Sequence, residues 1–200
     1  LKRDLSKYRI KSCGRNVKLH KGEVLVEYFD ILNREGSRSG KIAPKDEELL
    51  EGQYDLGAHA YIHNSKGEFL IQKRAKSKQF LPGGWDIHMG HVIAGETSKE
   101  AIIREIHEEL GIKIDDINFL KRVLWEKYNH FIDIFVLCKD IDISDLTLQK
   151  SEVDDVKFIS AQEMINLIKS MDYRPEEYRI IMESYVKEII LNFKYSNINL

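Results

Sequence analysis

The segment Phe131–Cys138, FIDIFVLC, constrains the fold of this chain more than any other, because it is β-branched and aromatic and apolar on both alternate faces. Successive side chains of a strand point to opposite sides. Ile132, Ile134 and Val136 therefore line one face, and Phe131, Phe135 and Leu137 the other. Such a strand has to be covered on both sides, which places it centrally in a sheet with a layer packed on each face. Asp133 interrupts the run, which falls well short of the ~20 apolar residues that a membrane helix needs.

The rest of the chain supplies partners for that strand. Gly57–Asn64 and Glu68–Arg74 flank a Ser65-Lys66-Gly67 turn and read as a hairpin. Ala58, Ala60 and Ile62 share one face of its first strand, and Phe69 and Ile71 one face of the second. Val24–Leu32, Phe119–Tyr128 and Val156–Ile159 read as further strands, 33–42 as a turn or loop, and 75–84, ending Leu-Pro-Gly-Gly, as a loop. Helices are predicted at about 98–110, at Ala161–Lys169 and at about 175–193. In the last, Tyr178, Ile181, Met182, Tyr185 and Ile189 recur at helical spacing behind Pro175. Hairpins mixed with a few helices give an α+β class, a sheet sandwiched between helices. The 200 residues suit one domain, taken as 23–200, after a basic extension at 1–22 carrying Lys2, Arg3, Lys7, Arg9, Lys11, Arg15, Lys18 and Lys21.

Charge excludes some partners. Against 33 acidic residues stand 31 Lys and Arg, a net charge of −2, so neither a nucleic-acid polymer nor a membrane surface is expected. An anionic substrate would need a local cluster of bases or a metal. Cys13 and Cys138 have no metal-type spacing and suit a reducing, cytoplasmic setting. The first residues, LKRDLSKYRI, lack the apolar core of a signal peptide.

The chemistry concentrates in Gly90–Ile112, GHVIAGETSKEAIIREIHEELGI. Thr97 and Glu100 make a capping-box pattern that starts a helix, and Gly111 stands where a left-handed residue ends one. Ile102, Ile103, Ile106 and Leu110 form the buried stripe. Each residue turns a helix by ~100°, so Glu105, Glu108 and Glu109 fall in one arc beside that stripe. Three carboxylates on adjacent turns repel one another unless a cation sits among them. Mg²⁺ takes oxygen ligands and bridges carboxylates to phosphates, and a glutamate left free of it can serve as general base. A solvated acidic face is the competing reading.

The full pattern decides between them. Gly90, Glu96, Arg104, Glu105, Ile106, Glu108, Glu109, Gly111 and Ile112 reproduce every position of the Nudix box, an agreement expected by chance on the order of once in a billion starting positions. The chain resembles the Nudix superfamily. That resemblance implies an α/β/α sandwich with a mixed central sheet and a loop–helix–loop metal site. It implies Glu105, Glu108 and Glu109 as ligands of Mg²⁺ (Mn²⁺ as the alternative), a contribution from the Gly90 carbonyl, Arg104 orienting a glutamate, and Glu96 supporting the loop. The implied activity is hydrolysis of a diphosphate bond in a small molecule, such as a nucleoside diphosphate joined to another group.

The likeness extends over roughly residues 27–160 towards the branch of isopentenyl-diphosphate isomerases, through Asn64-Ser-Lys-Gly-Glu-Phe-Leu-Ile, Lys73-Arg74-Ala75-Lys76-Ser77-Lys78 and Trp85 ahead of Gly90-His91. By that resemblance Arg74 and Lys78 contact the diphosphate, a role that suits a guanidinium in particular. Glu152 of Glu152-Val153 matches a Glu-Val pair common in that branch and reads either as an additional base or ligand or as a surface-loop residue; His91, beside the box, reads as a structural loop histidine, with contact to phosphate or metal as the alternative. The isomerases need a cysteine just before the box, in Trp-Thr-Asn-x-x-Cys-x-His-Pro, where this chain has Trp85-Asp-Ile-His-Met-Gly-His91-Val. Without that thiol, isomerisation loses one of its two proton-transfer partners, and hydrolysis is favoured. A non-catalytic metabolite sensor is the third reading, and the intact glutamates count against it. His88 reads as structural, Trp125 and Tyr128 as core or as a stacking surface for a base. The N-terminal segment and the last helix are the places for a homodimer contact.

Overall fold

The computed structural model of the protein describes residues 27–45 and 47–196. The basic segment 1–22, Cys13 and the first residues of the expected Val24–Leu32 strand lie outside the described residues. In chain order the strands are β1 (Tyr28–Leu32), β2 (Arg38–Pro44), β3 (Asp55–His63), β4 (Phe69–Arg74), β5 (Trp85–Asp86), β6 (His88–His91), β7 (Asn118–Trp125), β8 (His130–Cys138) and β9 (Val153–Ile159). The helices are α1 (Ser98–Leu110), α2 (Ala161–Ser170) and α3 (Glu176–Ser196).

The strand that is apolar on both faces takes the central place that its pattern demands. β8 lies between β3 and β7 in a seven-stranded mixed sheet of order β5-β4-β3-β8-β7, with β6 also paired to β3 and β9 to β4. β8 runs parallel to β3, from Asp55 opposite His130 to His63 opposite Cys138, and antiparallel to β7. Its two faces serve two cores. Ile132, Ile134 and Val136 pack with Tyr61, Phe69 and Ile71 under Ile165, Ile168, Tyr178, Met182 and Val186 of α2 and α3. Phe135 packs with Ala58, Ala60, Ile62 and Leu70 under Ile102, Ile106 and Leu110 of α1. The result is the expected three-layer sandwich. Asp133 is fully paired despite its burial: Arg122, opposite it on β7, grips both carboxylate oxygens at 2.6 and 2.8 Å.

Three expectations need correction. Residues 33–42 are not all loop, because β2 pairs antiparallel with β1. Its residues from Arg38 to Ile42 are exposed, so no apolar alternation marked them. The strand expected to reach Tyr128 ends at Trp125, where a single 3₁₀ turn, Glu126–Tyr128, leads to left-handed Asn129 and back into β8. The strands β5 and β6 passed unread, being too short for periodicity. The last helix begins at Glu176 and continues to Ser196 rather than stopping near 193.

Between α2 and α3, Arg174 is buried and makes an ion pair with buried Asp86 of β5 at 3.0 Å. Tyr61 donates to Tyr178 at 3.1 Å, and the same Tyr178 hydroxyl lies 3.1 Å from His59. The α2–α3 layer is thereby tied to β3 and to the strip that leads into β6. Among the described residues, no helix is long and apolar enough to cross a membrane.

Candidate active site

α1 is held at both ends by its own sequence. Thr97 accepts from the Glu100 backbone and Glu100 from that of Thr97, and Gly111 ends the helix with φ 75°. Ala101, Ile102, Ile106 and Leu110 are fully buried against the sheet, which fixes the rotation of the helix. That rotation brings Glu105 down on Gly90 of β6. A Cβ at Gly90 would lie 2.1 Å from Cγ of Glu105 and 2.3 Å from its Cδ. The glycine is therefore required by contact and not by its backbone angles.

Arg104 organises the acidic side chains. Its Nε and Nη2 donate to the two oxygens of Glu96 at 2.9 and 3.0 Å. Its Nη1 donates to Glu105 at 2.9 Å and to Glu108 at 3.1 Å, and Nη2 also reaches the His91 carbonyl at 3.2 Å. This guanidinium is the cation among the carboxylates that the helix requires. Glu96 is committed to it side-on and braces the loop before α1. The loop is also clamped from outside: Gly95 donates to Asp30 at 2.9 Å, Ala94 to the Tyr28 carbonyl at 2.8 Å, and Arg38 pairs with Asp30 at 3.1 Å. Sequence reading missed this clamp of β1 and β2.

Glu109 differs from its neighbours. It is buried, and its Oε2 has no hydrogen-bond partner. Burial first, and then the charge of Glu105, push its carboxyl up to about 8; Gln72 and Arg74 act in the opposite direction. Burial also raises Glu105, against the pull of Arg104. Among the described residues, no three carboxylate, imidazole or thiol groups converge on one point closely enough to hold an ion as they stand. The reason is visible: Glu105 and Glu108 turn to Arg104, while Glu109 lies beneath them. The donor set nevertheless fits a hard divalent cation. Carboxylate oxygens crowd together, one is buried without a partner, and burial makes two of the groups resist ionisation.

The remaining candidates form a rim. The Arg74 Nε donates to the Phe80 carbonyl at 2.9 Å, and its charge reaches Glu109. Lys78 and Glu152, expected to act separately, form an ion pair at 2.5 Å. The backbone of Ala75 donates to Glu152 at 2.9 Å, joining the two loops. His91 is exposed, with its ring 5.9 Å from that of His130, and His130 binds Asp55 at 2.6 Å. Trp125 and Tyr128 meet edge to face at 4.7 Å, with Tyr128 exposed. His88 is buried and bonded to Gln72, in keeping with a structural role. Two neighbours of the carboxylates carried no motif and went unread: Lys45, whose charge reaches Glu105, and Gln72. At the place of the isomerase cysteine, two residues before His91, Met89 accepts a hydrogen bond from Arg174 at 3.4 Å. Cys138 is exposed at the far end of β8.

The chain is similar to known proteins. The NUDIX domain model matches residues 53–182. A Nudix hydrolase of Listeria monocytogenes is 39% identical over 151 residues, covering 75% of this chain and 89% of the relative. An isopentenyl-diphosphate delta-isomerase of Corynebacterium diphtheriae is 25% identical over 160 residues, covering 74% of this chain and 86% of its own length. Among solved structures, a Deinococcus radiodurans protein superimposes with a TM-score of 0.63 at 20% identity, covering 82% of this chain and 99% of the other, a likeness of fold.

Proposed function

This chain belongs to the Nudix family, and from that premise we propose that it is a Mg²⁺-dependent hydrolase of a small-molecule diphosphate, such as a nucleoside diphosphate joined to another group. The observation that carries the reading is the buried, unpartnered oxygen of Glu109 amid carboxylates otherwise held by one guanidinium. Glu105, Glu108 and Glu109, with the Gly90 carbonyl, would hold the ion. Mn²⁺ offers the same charge to the same oxygens. When bound, a divalent cation supplies charge that polarises a phosphoryl oxygen and makes water more acidic.

The chain's own side chains do the rest. Arg74 and Lys78 hold the diphosphate oxygens, the first as a planar fork and the second as a point charge. His91 is a further candidate for a phosphate contact. Arg104 keeps Glu105 and Glu108 in register. A diphosphate that draws Lys78 away leaves Glu152 free to accept the proton of the attacking water. Oxygen from water bonds to phosphorus, the bridging P–O bond breaks, and two phosphate-bearing products leave. Isomerisation would need a thiol where Met89 stands engaged with Arg174.

The test is to incubate the purified protein with Mg²⁺ and a panel of nucleoside diphosphate sugars, dinucleotides, nucleoside triphosphates and isoprenyl diphosphates. Release of phosphate-bearing products that is lost in Glu108→Gln and Glu109→Gln supports the proposal. Full activity in excess chelator, or a shifted double bond without hydrolysis, overturns it.

A further inference from the structure

Gln72 is the polar residue least expected where it stands. It lies in β4, two residues from Leu70 and so on the face that α1 covers, and it is fully buried. An amide buried without all its partners carries a desolvation penalty that an aliphatic side chain would not. One end of the amide is fixed: its Oε1 lies 2.9 Å from Nδ1 of His88. His88 is itself buried, and its other ring nitrogen, Nε2, lies 3.2 Å from the Leu70 carbonyl. Gln72 also lies close enough to Glu109 to act on its carboxyl. There a donor without an acceptor, Gln72 Nε2, is buried beside an acceptor without a donor, Glu109 Oε2.

We propose that Gln72 is a positioning residue for the metal site: oriented by His88, its amide donates to the Glu109 carboxylate as that carboxylate turns to a divalent cation, fixing which oxygen faces the ion. The inference rests on reading Glu105, Glu108 and Glu109 as the cation ligands. It assigns a purpose to a buried polar pair that hydrolysis itself does not use. Partners that orient a ligand typically change metal affinity by about 10–100-fold.

The experiment titrates the full chain with Mn²⁺ in a calorimeter, without substrate, and follows urea unfolding of the same samples. Compared are wild type, Glu109→Gln, Gln72→Met and Gln72→Asn, the last too short by one methylene to span the gap. We expect Gln72→Met and Gln72→Asn to bind Mn²⁺ about tenfold more weakly, with Gln72→Met changed little in stability, because the unpaired Nε2 is removed together with the Oε1 bond to His88. A merely structural residue would show the reverse, lower stability at unchanged affinity. Should Gln72→Met fail to fold, Gln72→Asn and His88→Phe, which releases the amide, carry the comparison. Mn²⁺ affinity within twofold of wild type in the Gln72 variants, while Glu109→Gln abolishes binding, overturns the inference and leaves the metal reading standing. A wild-type protein that binds no Mn²⁺ overturns both.

Discussion

Replacing Gly90 by alanine should disable the site at small expense to the fold. A Cβ at this position would lie 2.1 Å from Cγ, 2.3 Å from Cδ and 2.5 Å from Oε1 of Glu105, whereas carbon atoms in contact settle at about 3.5–4.0 Å. The Glu105 carboxylate must therefore move by about 1.5 Å. α1 cannot retreat with it, because Ala101, Ile102 and Ile106 are fully buried on the same side. The side chain has to swing instead, breaking its 2.9 Å bond to Arg104. A misplacement of about 1 Å at a reacting centre lowers rate by about 10²-fold, so kcat/KM should fall by about that factor. Overpacking costs about 1–3 kcal/mol, at the low end here since Glu105 can rotate towards solvent. The assay is steady-state hydrolysis at saturating Mg²⁺ beside urea unfolding, with Gly40→Ala as control. Gly40 has φ 79° and nothing within 4 Å of a built Cβ, so that variant suffers backbone strain of about 1 kcal/mol without touching the site. A Gly90→Ala enzyme within threefold of wild-type kcat/KM, or one that loses no more than Gly40→Ala, would refute the argument.

Two further outcomes follow from the same geometry. Glu109 stays neutral to about 8 in the fold against its ordinary 4.5, so the folded chain is the stronger proton binder between those values. Its stabilisation is complete below pH 4.5 and is lost as pH rises through 8, on the order of 5 kcal/mol in all. In chelator, the urea midpoint should fall with pH over that window in wild type and much less in Glu109→Gln; parallel slopes would contradict the assignment. Lys78→Met should raise KM about tenfold through the lost phosphate contact, with stability within about 1 kcal/mol because its pair with Glu152 is partly exposed. A KM equal to wild type would remove Lys78 from the substrate site.

What the sequence disclosed and what it hid divide along a physical line. Local signals were legible: the caps of α1, the apolar alternation of β3 and β4, the double-sided pattern of β8, and the spacing of Glu105, Glu108 and Glu109. Each is written within a few residues of itself. Contacts made across the sheet were not. Nothing at Asp30 or Arg38 announced that an exposed hairpin would clamp the loop carrying Glu96. Lys78 and Glu152 lie far apart in the chain and meet only because β4 and β9 are neighbours. Gln72 follows three apolar residues of β4 and carried no motif, although a buried amide in such a place is itself a signal. The three-layer fold was reachable because one strand demanded it, while β5 and β6 were too short to show any period.

The parallel pairing of β3 with β8 has a consequence for how the molecule comes together. Asp55 and His130, which bond at its mouth, are 75 residues apart in the chain. Parallel neighbours cannot be joined by a hairpin, so their pairing has to wait for a long loop to close before any contact rewards it. High contact order of this kind slows folding. The glutamate helix carries its own caps and can flicker into shape early, but β6 and Gly90 dock on the opposite edge of the same β3. Chain collapse that leaves β3 without β8 therefore leaves α1 without Phe135 in the core beneath it. Catalytic competence and completion of the central sheet arrive as one late event.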